Sequence, residues 1–377
     1  MLDKKTLQFV ELLKAGLWNK QLDLEMFRDD CDFHELAMMS LRQTVTGLIG
    51  VAFMQLPKGM VPRALQIALL KKVSDVEERN RRVNKSVAES FGWLLAQGLH
   101  PWLIKGQGVA QDYDDPLKRV SGDIDVFFAD EKEYEFARRR MLRVLQPSEL
   151  KADNRQTLNL EFMDGDVYME FHGRVLAEIN HRSNRHFAAF TKEAAQLPPR
   201  RWGSVTLPPL RFDAVFIFTH LVRHYFGGGI GLRQVCDWMR FMHSHAEEID
   251  REQLRADLDR LGLMKIWQAF AAMAVEQLGC PRESMPFYEV GMEQRGEQIL
   301  RYIMESGNFG YYDERTKSNS KVYIVRRFVA FWGHLQMKFR NFAAFPEESV
   351  YGIPSFLKDG MKRTFASRQT ESLDENS

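Results

Sequence analysis

The segment Arg119–Phe128, RVSGDIDVFF, constrains the fold of this chain most, because it sets two carboxylates into an apolar run. In a β-strand alternate side chains share a face, so Asp123 and Asp125 point to one side while Ile124 and Val126 point to the other. The α-carbons of the two aspartates then lie about 6.6 Å apart. The sequence therefore predicts a strand with one buried face and one acidic face.

Other short β-like runs surround this strand: Trp102–Lys105, Gln156–Met163 and Val167–His172. The last two runs are separated by Asp164-Gly165, which is typical of a tight hairpin turn. Apolar residues at helical spacing within the charged stretch Glu131–Leu145 predict one amphipathic helix. Together these patterns indicate an α/β segment with a mixed sheet.

Helical periodicity dominates on both sides of this segment. We expect helices in Leu7–Leu17, Leu36–Met54, Arg63–Leu99, Phe212–Tyr225, Leu232–His243, Leu254–Leu278 and Lys321–Phe339. The predicted architecture is an α/β (α+β) protein in which residues 1–99 and 211–366 are helical regions around a small mixed-sheet core at residues 100–210. Residues 367–377 are polar, and we expect a frayed tail.

Charge and cysteine usage exclude several classes of protein. The net charge is +1, from 52 basic and 51 acidic residues, so no global field favours nucleic acid or an anionic membrane as the partner. The three cysteines are widely spaced and odd in number, which favours reduced thiols. No segment approaches the roughly 18 apolar residues of a membrane span, and no signal-peptide pattern opens the chain. We expect a cytoplasmic protein.

The paired acids need positive charge between them. At ~4 Å, two carboxylates in a partly buried site repel each other by about 4 kcal/mol. Hard oxygen ligands favour Mg²⁺, which binds one or two protein carboxylates together with waters and substrate phosphates. The alternative is a pair of surface aspartates that cap a turn, which is the commoner explanation of a lone D-x-D pattern.

The residues before and after this strand strengthen the metal interpretation. Upstream, a strand leads into the turn Gly106-Gln107-Gly108 and then into a short helix. The backbone N–H groups of such a turn and of the start of the helix can bind phosphate oxygens. The alternative is a turn without a binding function. Downstream, strand alternation places Glu170 and His172 together on the polar face. Glu170 is thus a candidate third carboxylate, unless it is a solvated strand glutamate.

Three motifs carry a resemblance to the nucleotidyltransferase superfamily, which includes DNA polymerase beta: Lys105-Gly106-x-Gly108, Arg119-x-x-Gly122-Asp123-Ile124-Asp125 and Glu170-x-His172. They resemble more closely an uncharacterised bacterial nucleotidyltransferase family that has Lys-Gly in place of Gly-Ser. Phe9–Trp18 and His224–Trp238 are also similar to that family, so the resemblance spans most of the chain. Gln107 stands where the superfamily usually has Ser, and Glu170 where Asp is commoner.

The resemblance implies a site for two Mg²⁺ ions, with Mn²⁺ as a substitute, held by Asp123, Asp125 and Glu170. An NTP would be the substrate, Glu170 would accept the proton of the incoming hydroxyl, and pyrophosphate would leave. We expect the phosphate ligands to be Lys105, Gly106, Gln107, Gly108, Arg119 and Arg233. A solvated or salt-bridged side chain is the alternative for Lys105 and for Arg119. His172 would orient Glu170, or make a structural hydrogen bond. An ion pair with Asp237 is the alternative for Arg233.

Two further features are open to more than one interpretation. His220 and His224 share a helix face, which favours packing or lining of the active site over metal ligation. The aromatic and basic residues of Lys321–Phe339 favour a core helix over a membrane-surface or RNA-binding helix.

The sequence thus predicts a magnesium-dependent nucleotidyltransferase that acts on a hydroxyl of a small molecule, a sugar or a macromolecule. Two alternatives stay open. One is an inactive nucleotidyltransferase fold that binds a nucleotide or a partner protein, and the other is a toxin-like enzyme that modifies tRNA or protein.

Overall fold

A computed structural model describes residues 2–308, 332, 336, 341–351 and 353 of the chain. Helices surround a five-stranded mixed sheet, which confirms the predicted α/β (α+β) class. The domain boundaries given above stay predictions. No helix among the described residues is long and apolar enough to cross a membrane, and the cytoplasmic location stays a prediction.

The first third of the chain forms four α-helices: α1 Lys4–Trp18, α2 Phe33–Arg42, α3 Thr46–Phe53 and α4 Arg63–Ala96. Asp3 and Asp32 cap the first two, because each side chain accepts a hydrogen bond from a backbone N–H of the first turn. The predicted single segment Leu36–Met54 is wrong, because the backbone breaks at Thr44, whose φ is +55°, between α2 and α3. A Cβ at Gly16 would overlap the backbone of Leu48, so α1 and α3 cross in close contact.

The sheet contains β1 Trp102–Ile104, β2 Ile124–Phe127, β3 Leu150–Asn154, β4 Asn159–Asp164 and β5 Val167–His172, in the order β1-β2-β5-β4-β3. Strands β2 and β5 are parallel, and the other pairs are antiparallel. The predicted hairpin is present, with Gly165 at φ +60°. Helices α5 Gly106–Ala110 and α6 Glu131–Val144 follow β1 and β2.

The two faces of this sheet differ. One face packs its apolar side chains against α4 and α6 in a core that includes Ile124, Val126, Phe171, Phe91 and Tyr134. The opposite face turns towards the C-terminal helices, where the ring of Phe127 stacks on that of Phe212 at 6.0 Å between centroids. The acidic side chains lie on this second face.

The C-terminal part contains α7 His181–Ala194, the hairpin β6 Arg200–Trp202 and β7 Val205–Leu207, then α8 Leu210–Gly227, α9 Leu232–Ser244, α10 Arg251–Leu261, α11 Met264–Ala272, α12 Glu293–Ser306 and α13 Pro346–Tyr351. The predicted continuous helix Leu254–Leu278 is wrong. It is split at Gly262, whose φ of +69° ends α10 in a left-handed cap. The predicted helix Lys321–Phe339 lies almost wholly outside the described residues.

Candidate active site

The parallel pairing of β2 with β5 brings predicted site residues from two distant segments together. Asp125 lies opposite Glu170 in the strand register. Ligand atoms of Asp125, Glu170 and His172 all lie within 4.8 Å of one another, and these residues form the acid cluster. Asp123 immediately precedes β2 and lines the same cavity. The alternation of side chains along both strands therefore produces the acidic face that the sequence predicts.

One lysine compensates part of this negative charge. The Lys105 Nζ lies 2.9 Å from Asp125 Oδ1, and the His172 Nε2 lies 2.9 Å from the same oxygen. Burial alone would raise the pKa of Asp125, but the Lys105 ammonium and the His172 ring hold that pKa below its usual range. Burial, together with the charges of Asp125 and Asp123, raises the pKa of Glu170. The site thus carries more acid than its own cations neutralise.

The backbone at Lys105 is unusual for a residue with a side chain. It has φ +58° and ψ −153° directly before α5, a conformation that costs a non-glycine residue about 1–3 kcal/mol. Its side chain reaches across the cavity, where Nζ lies 3.1 Å from His220 Nε2 on α8. The surrounding packing therefore holds Lys105 between the acidic face and α8.

A cavity of about 460 Å³ opens over the acid cluster. Eight predicted site residues line it: Lys105, Gly106, Arg119, Asp123, Asp125, Glu170, His172 and Arg233. Gln107 and Gly108 do not. The Gln107 side chain is 2% exposed and donates hydrogen bonds to Asn80 and Asn84 of α4, while Gly108 packs against Leu207.

The two arginines of the site differ in their partners. Arg119 is buried and donates from Nε and Nη2 to the two carboxylate oxygens of Asp237, each at 2.7 Å. Tyr113 donates its hydroxyl to the same carboxylate at 2.7 Å. Arg119, and not Arg233, is therefore the ion-pair partner of Asp237. The greater part of the Arg119 guanidinium is engaged by the protein itself.

Arg233 is the less satisfied cation. Its Nη1 donates to the Val120 carbonyl at 3.0 Å, while its buried Nε has no hydrogen-bond partner in the part of the chain that the structure describes. Burial, and then the nearby Arg119, lower the pKa of Arg233. The guanidinium also lies against Gly122, where a Cβ would come within 3.3 Å of it. An anion in the cavity would find this cation beside the acidic strand.

Glu161 is a cavity residue that the sequence analysis missed. Glu161 is on β4 and lies opposite Glu170 of β5. Because Asp125 of β2 lies on the other side of Glu170, the three acidic residues form one row across three neighbouring strands. Asn159 and Tyr168 donate hydrogen bonds to its carboxylate. The sequence contains enough information to predict this position, because a two-residue turn at 165–166 fixes the register of the hairpin and places position 161 opposite position 170.

The histidine pair on α8 lines the cavity opposite the sheet. The Nε2 atoms of His220 and His224 lie 3.0 Å apart, and burial lowers the pKa of both rings, that of His224 to about 4. Neither belongs to the acid cluster, and no other group of three or more metal-ligating side chains is found among the described residues.

Comparison with known proteins agrees with this geometry. A family model described as "Uncharacterised nucleotidyltransferase" matches residues 29–279, about two thirds of the chain. The chain belongs to this nucleotidyltransferase family. The matched region contains every predicted site residue. No curated protein and no solved structure gives a significant match.

The oxygen and nitrogen atoms of the acid cluster are suitable ligands for a divalent cation. Carboxylate oxygens from Asp125 and Glu170 are the hard ligands that Mg²⁺ and Mn²⁺ accept, and an imidazole nitrogen is compatible with Mn²⁺. The raised pKa of Glu170 points the same way, because a bound cation would relieve the repulsion that opposes its ionisation.

Proposed function

We propose that this protein is a magnesium-dependent nucleotidyltransferase that transfers a nucleoside monophosphate from an NTP to a hydroxyl acceptor and releases pyrophosphate. The observation that carries the proposal is the convergence of Asp125, Glu170 and His172 on a cavity that also contains the turn at Gly106 and the cation of Arg233. The family match supports nucleotidyl transfer as the class of reaction.

Asp123, Asp125 and Glu170 are the residues that would hold the metal ions, with Mn²⁺ as a substitute for Mg²⁺. When bound, two such ions neutralise the triphosphate and stabilise the attacking and leaving oxygens of an in-line displacement. Lys105 keeps Asp125 ionised and holds it in place. His172 contacts both Asp125 and Glu170, so it orients the two carboxylates relative to each other.

Arg233 and the turn at Gly106 are the proposed phosphate ligands. Arg233 offers a guanidinium that lacks a full set of partners, and guanidinium groups bind phosphate oxygens with two donors. Gly106 has φ +46° and lets the backbone approach a ligand closely. The proposal assigns Arg119 a supporting part, because Asp237 holds two of its nitrogens.

Glu170 is the proposed proton acceptor for the incoming hydroxyl. A general base must lie within reach of the proton that it removes, and the Glu170 carboxylate lines the cavity beside Asp125. Its carboxylate lies beside Glu161, which is held by Asn159 and Tyr168 and forms part of the wall that an acceptor would contact.

The test is to incubate the purified protein with Mg²⁺, each of the four NTPs and a heat-treated cell extract that supplies hydroxyl acceptors, and to measure NTP binding and pyrophosphate release. We expect Asp123→Asn and Asp125→Asn to abolish release. Asp166→Asn, in the exposed β4–β5 turn, is the control and should match the wild type. Release that continues at the wild-type rate in both site variants would reject the proposal.

One observation favours a second candidate, a fold that binds nucleotide without turnover. Gln107 replaces the hydroxyl that the superfamily pattern supplies, and its side chain points to α4 instead of the cavity. This candidate expects saturable NTP binding with no pyrophosphate and no modified acceptor by mass spectrometry. A nucleotidylated product would exclude it.

A further inference from the structure

Asn80, in the middle of α4, makes contacts that a charged surface helix does not require. Its side chain is 1% exposed, although its neighbours along the sequence are charged. The Asn80 Nδ2 donates to the carbonyls of Leu117 at 2.8 Å and Arg119 at 2.7 Å. The Asn80 Oδ1 accepts from the Gln107 Nε2 at 3.2 Å. One buried amide thus joins three segments of the chain.

The segments joined by Asn80 both lead into the cavity. Gln107 follows Gly106, at the turn proposed to hold phosphate, and Arg119 precedes Gly122 and Asp123 at the start of the acidic strand. A second contact strengthens the link on one side, because the Gln107 Nε2 also donates to Asn84 Oδ1 at 2.5 Å. Helix α4 therefore lies behind the site and is bonded to its two sides.

The chemistry of these contacts makes the link a stiff one. Buried carbonyls and amide N–H groups are costly to leave without a partner, so the four hydrogen bonds of the network resist any shift that would break one of them. The Gln107 Oε1 takes no part in them and has no partner among the described residues. Glutamine is long enough to reach α4 from the turn, and serine at the same position is not. A displacement of about 1 Å in a positioning element can reduce a reaction rate by about a hundredfold.

We propose that Asn80 and Gln107 are positioning residues that set the distance between the phosphate-binding turn and the acidic strand. The inference rests on the proposed function, and it gives Gln107 a part other than direct contact with phosphate. Neither side chain lines the cavity, so neither touches the reacting atoms.

The decisive variant is Gln107→Met, which keeps the length of the side chain and removes the hydrogen bonds from its amide to Asn80 and Asn84. Gln111→Met is the matched control, because Gln111 lies directly after the same short helix and its side chain donates to the Gln107 carbonyl, not to α4. Asn84→Leu removes one of the two bonds and should give an intermediate effect. We expect Gln107→Met to raise the KM for the preferred NTP about tenfold, and Gln111→Met to change it less than twofold.

A measurement without nucleotide separates this inference from the proposed function. Hydrogen–deuterium exchange of the full-length protein should speed up at residues 106–110 and 117–122 together in Gln107→Met, and at neither segment in Gln111→Met. Wild-type exchange in both segments and an unchanged KM would overturn the inference while pyrophosphate release continues. A wild type that neither binds NTP nor releases pyrophosphate would defeat the proposed function, and the exchange data would still decide on the link through α4.

Discussion

Two groups of buried charge lie against helix α8, and they differ in how they balance their charges. The acid cluster, with Lys105 beside it, opens into the cavity. The second group, which we name the closed cluster, consists of Asp112, Arg200, Asp213 and His245, and none of these residues lines the cavity.

In the closed cluster each carboxylate faces a cationic or ionisable nitrogen. Arg200 on β6 pairs with Asp213 on α8, and His245 Nε2 lies 3.0 Å from Asp112 Oδ1. Beside the acid cluster, Lys105 forms an ion pair with Asp125, while Glu170 of the cluster and the neighbouring Asp123 add further negative charge. A balanced group holds the structure together, whereas an acidic excess beside a cavity leaves room for cations from solution.

The largest test of this contrast is Glu170→Gln. Burial and the charge of Asp125 oppose the ionisation of Glu170, so a neutral glutamine should leave the free energy of unfolding unchanged or raise it. Pyrophosphate release should fall about a thousandfold, which is roughly 4 kcal/mol in transition-state stabilisation. Urea unfolding and the release assay measure the two quantities. A Glu170→Gln variant that is less stable but fully active would show that the acid cluster serves stability and not catalysis. The control is Glu131→Gln, at the exposed start of α6, which should change neither quantity.

The opposite result is expected from Arg200→Met in the closed cluster. Burial already raises the pKa of Asp213 to about 7, and the variant leaves this carboxyl without its cation, so the free energy of unfolding should fall by about 3 kcal/mol at pH 8, where the wild-type carboxyl is ionised. The kcat/KM of the folded molecules should stay at the wild-type value. Arg201→Met, at the neighbouring exposed position of β6, should change neither quantity. Loss of activity at unchanged stability would show that the closed cluster also serves the site.

Two histidines, His224 beside the cavity and His245 in the closed cluster, should make the free energy of unfolding depend on pH in opposite directions. Burial lowers the pKa of His224 to about 4, so only the unfolded chain takes up a proton between pH 4 and 6.5. The folded state therefore loses about 2 kcal/mol at pH 5 relative to neutral pH, and His224→Gln should remove that loss. Unfolding of both proteins in urea at pH 7 and pH 5 measures it. Equal pH dependence in the two would contradict the buried neutral state of this ring.

His245 should behave in the reverse sense. Although burial opposes its charge, Asp112 and Glu248 raise its pKa, so its stabilising contribution is fully present below about pH 6.5 and is lost as the pH rises through the folded-state pKa. In the same urea series, His245→Gln should lower stability more at pH 5 than at pH 8.

The smallest expected effect is that of Arg233→Met. Because the Arg233 Nε has no partner in the described part of the chain, its removal should leave the free energy of unfolding unchanged or slightly higher. The KM for NTP should rise about tenfold, roughly 1.4 kcal/mol, with a smaller change in kcat. Steady-state kinetics with a range of NTP concentrations checks this, and an unchanged KM would remove Arg233 from the proposed phosphate site.

The acidic face could be predicted from the sequence because strand alternation is a local property. Asp123 shares a side with Asp125, and Glu170 with His172, whatever the rest of the chain does, and the turn at Gly165 fixes how β4 meets β5. That the two pairs lie on one face of the sheet depends on the parallel pairing of β2 with β5, which is not a local property. The partner of Arg119 could not be predicted in this way. Asp237 lies 118 positions away, on a helix whose placement depends on packing and not on any local pattern.

Asn80 escaped prediction for a related reason. It stands among charged residues, which indicates a solvated helix face, and only the tertiary structure shows that this one position faces the turn and the acidic strand. The hairpin β6–β7 was missed because its first strand, Arg-Arg-Trp, lacks the apolar run that marks β1, a strand of the same length.

The parallel pairing of β2 with β5 has a consequence for protein synthesis. The ribosome produces Asp125 first, then Glu170, and Arg233 only after the whole of α8. At about 5–20 residues per second, the delay between the first and the last of these residues is roughly 5–20 s. During that interval the nascent polypeptide contains Asp125 and Glu170 but not Arg233, so the proposed phosphate site is incomplete until translation has entered α9.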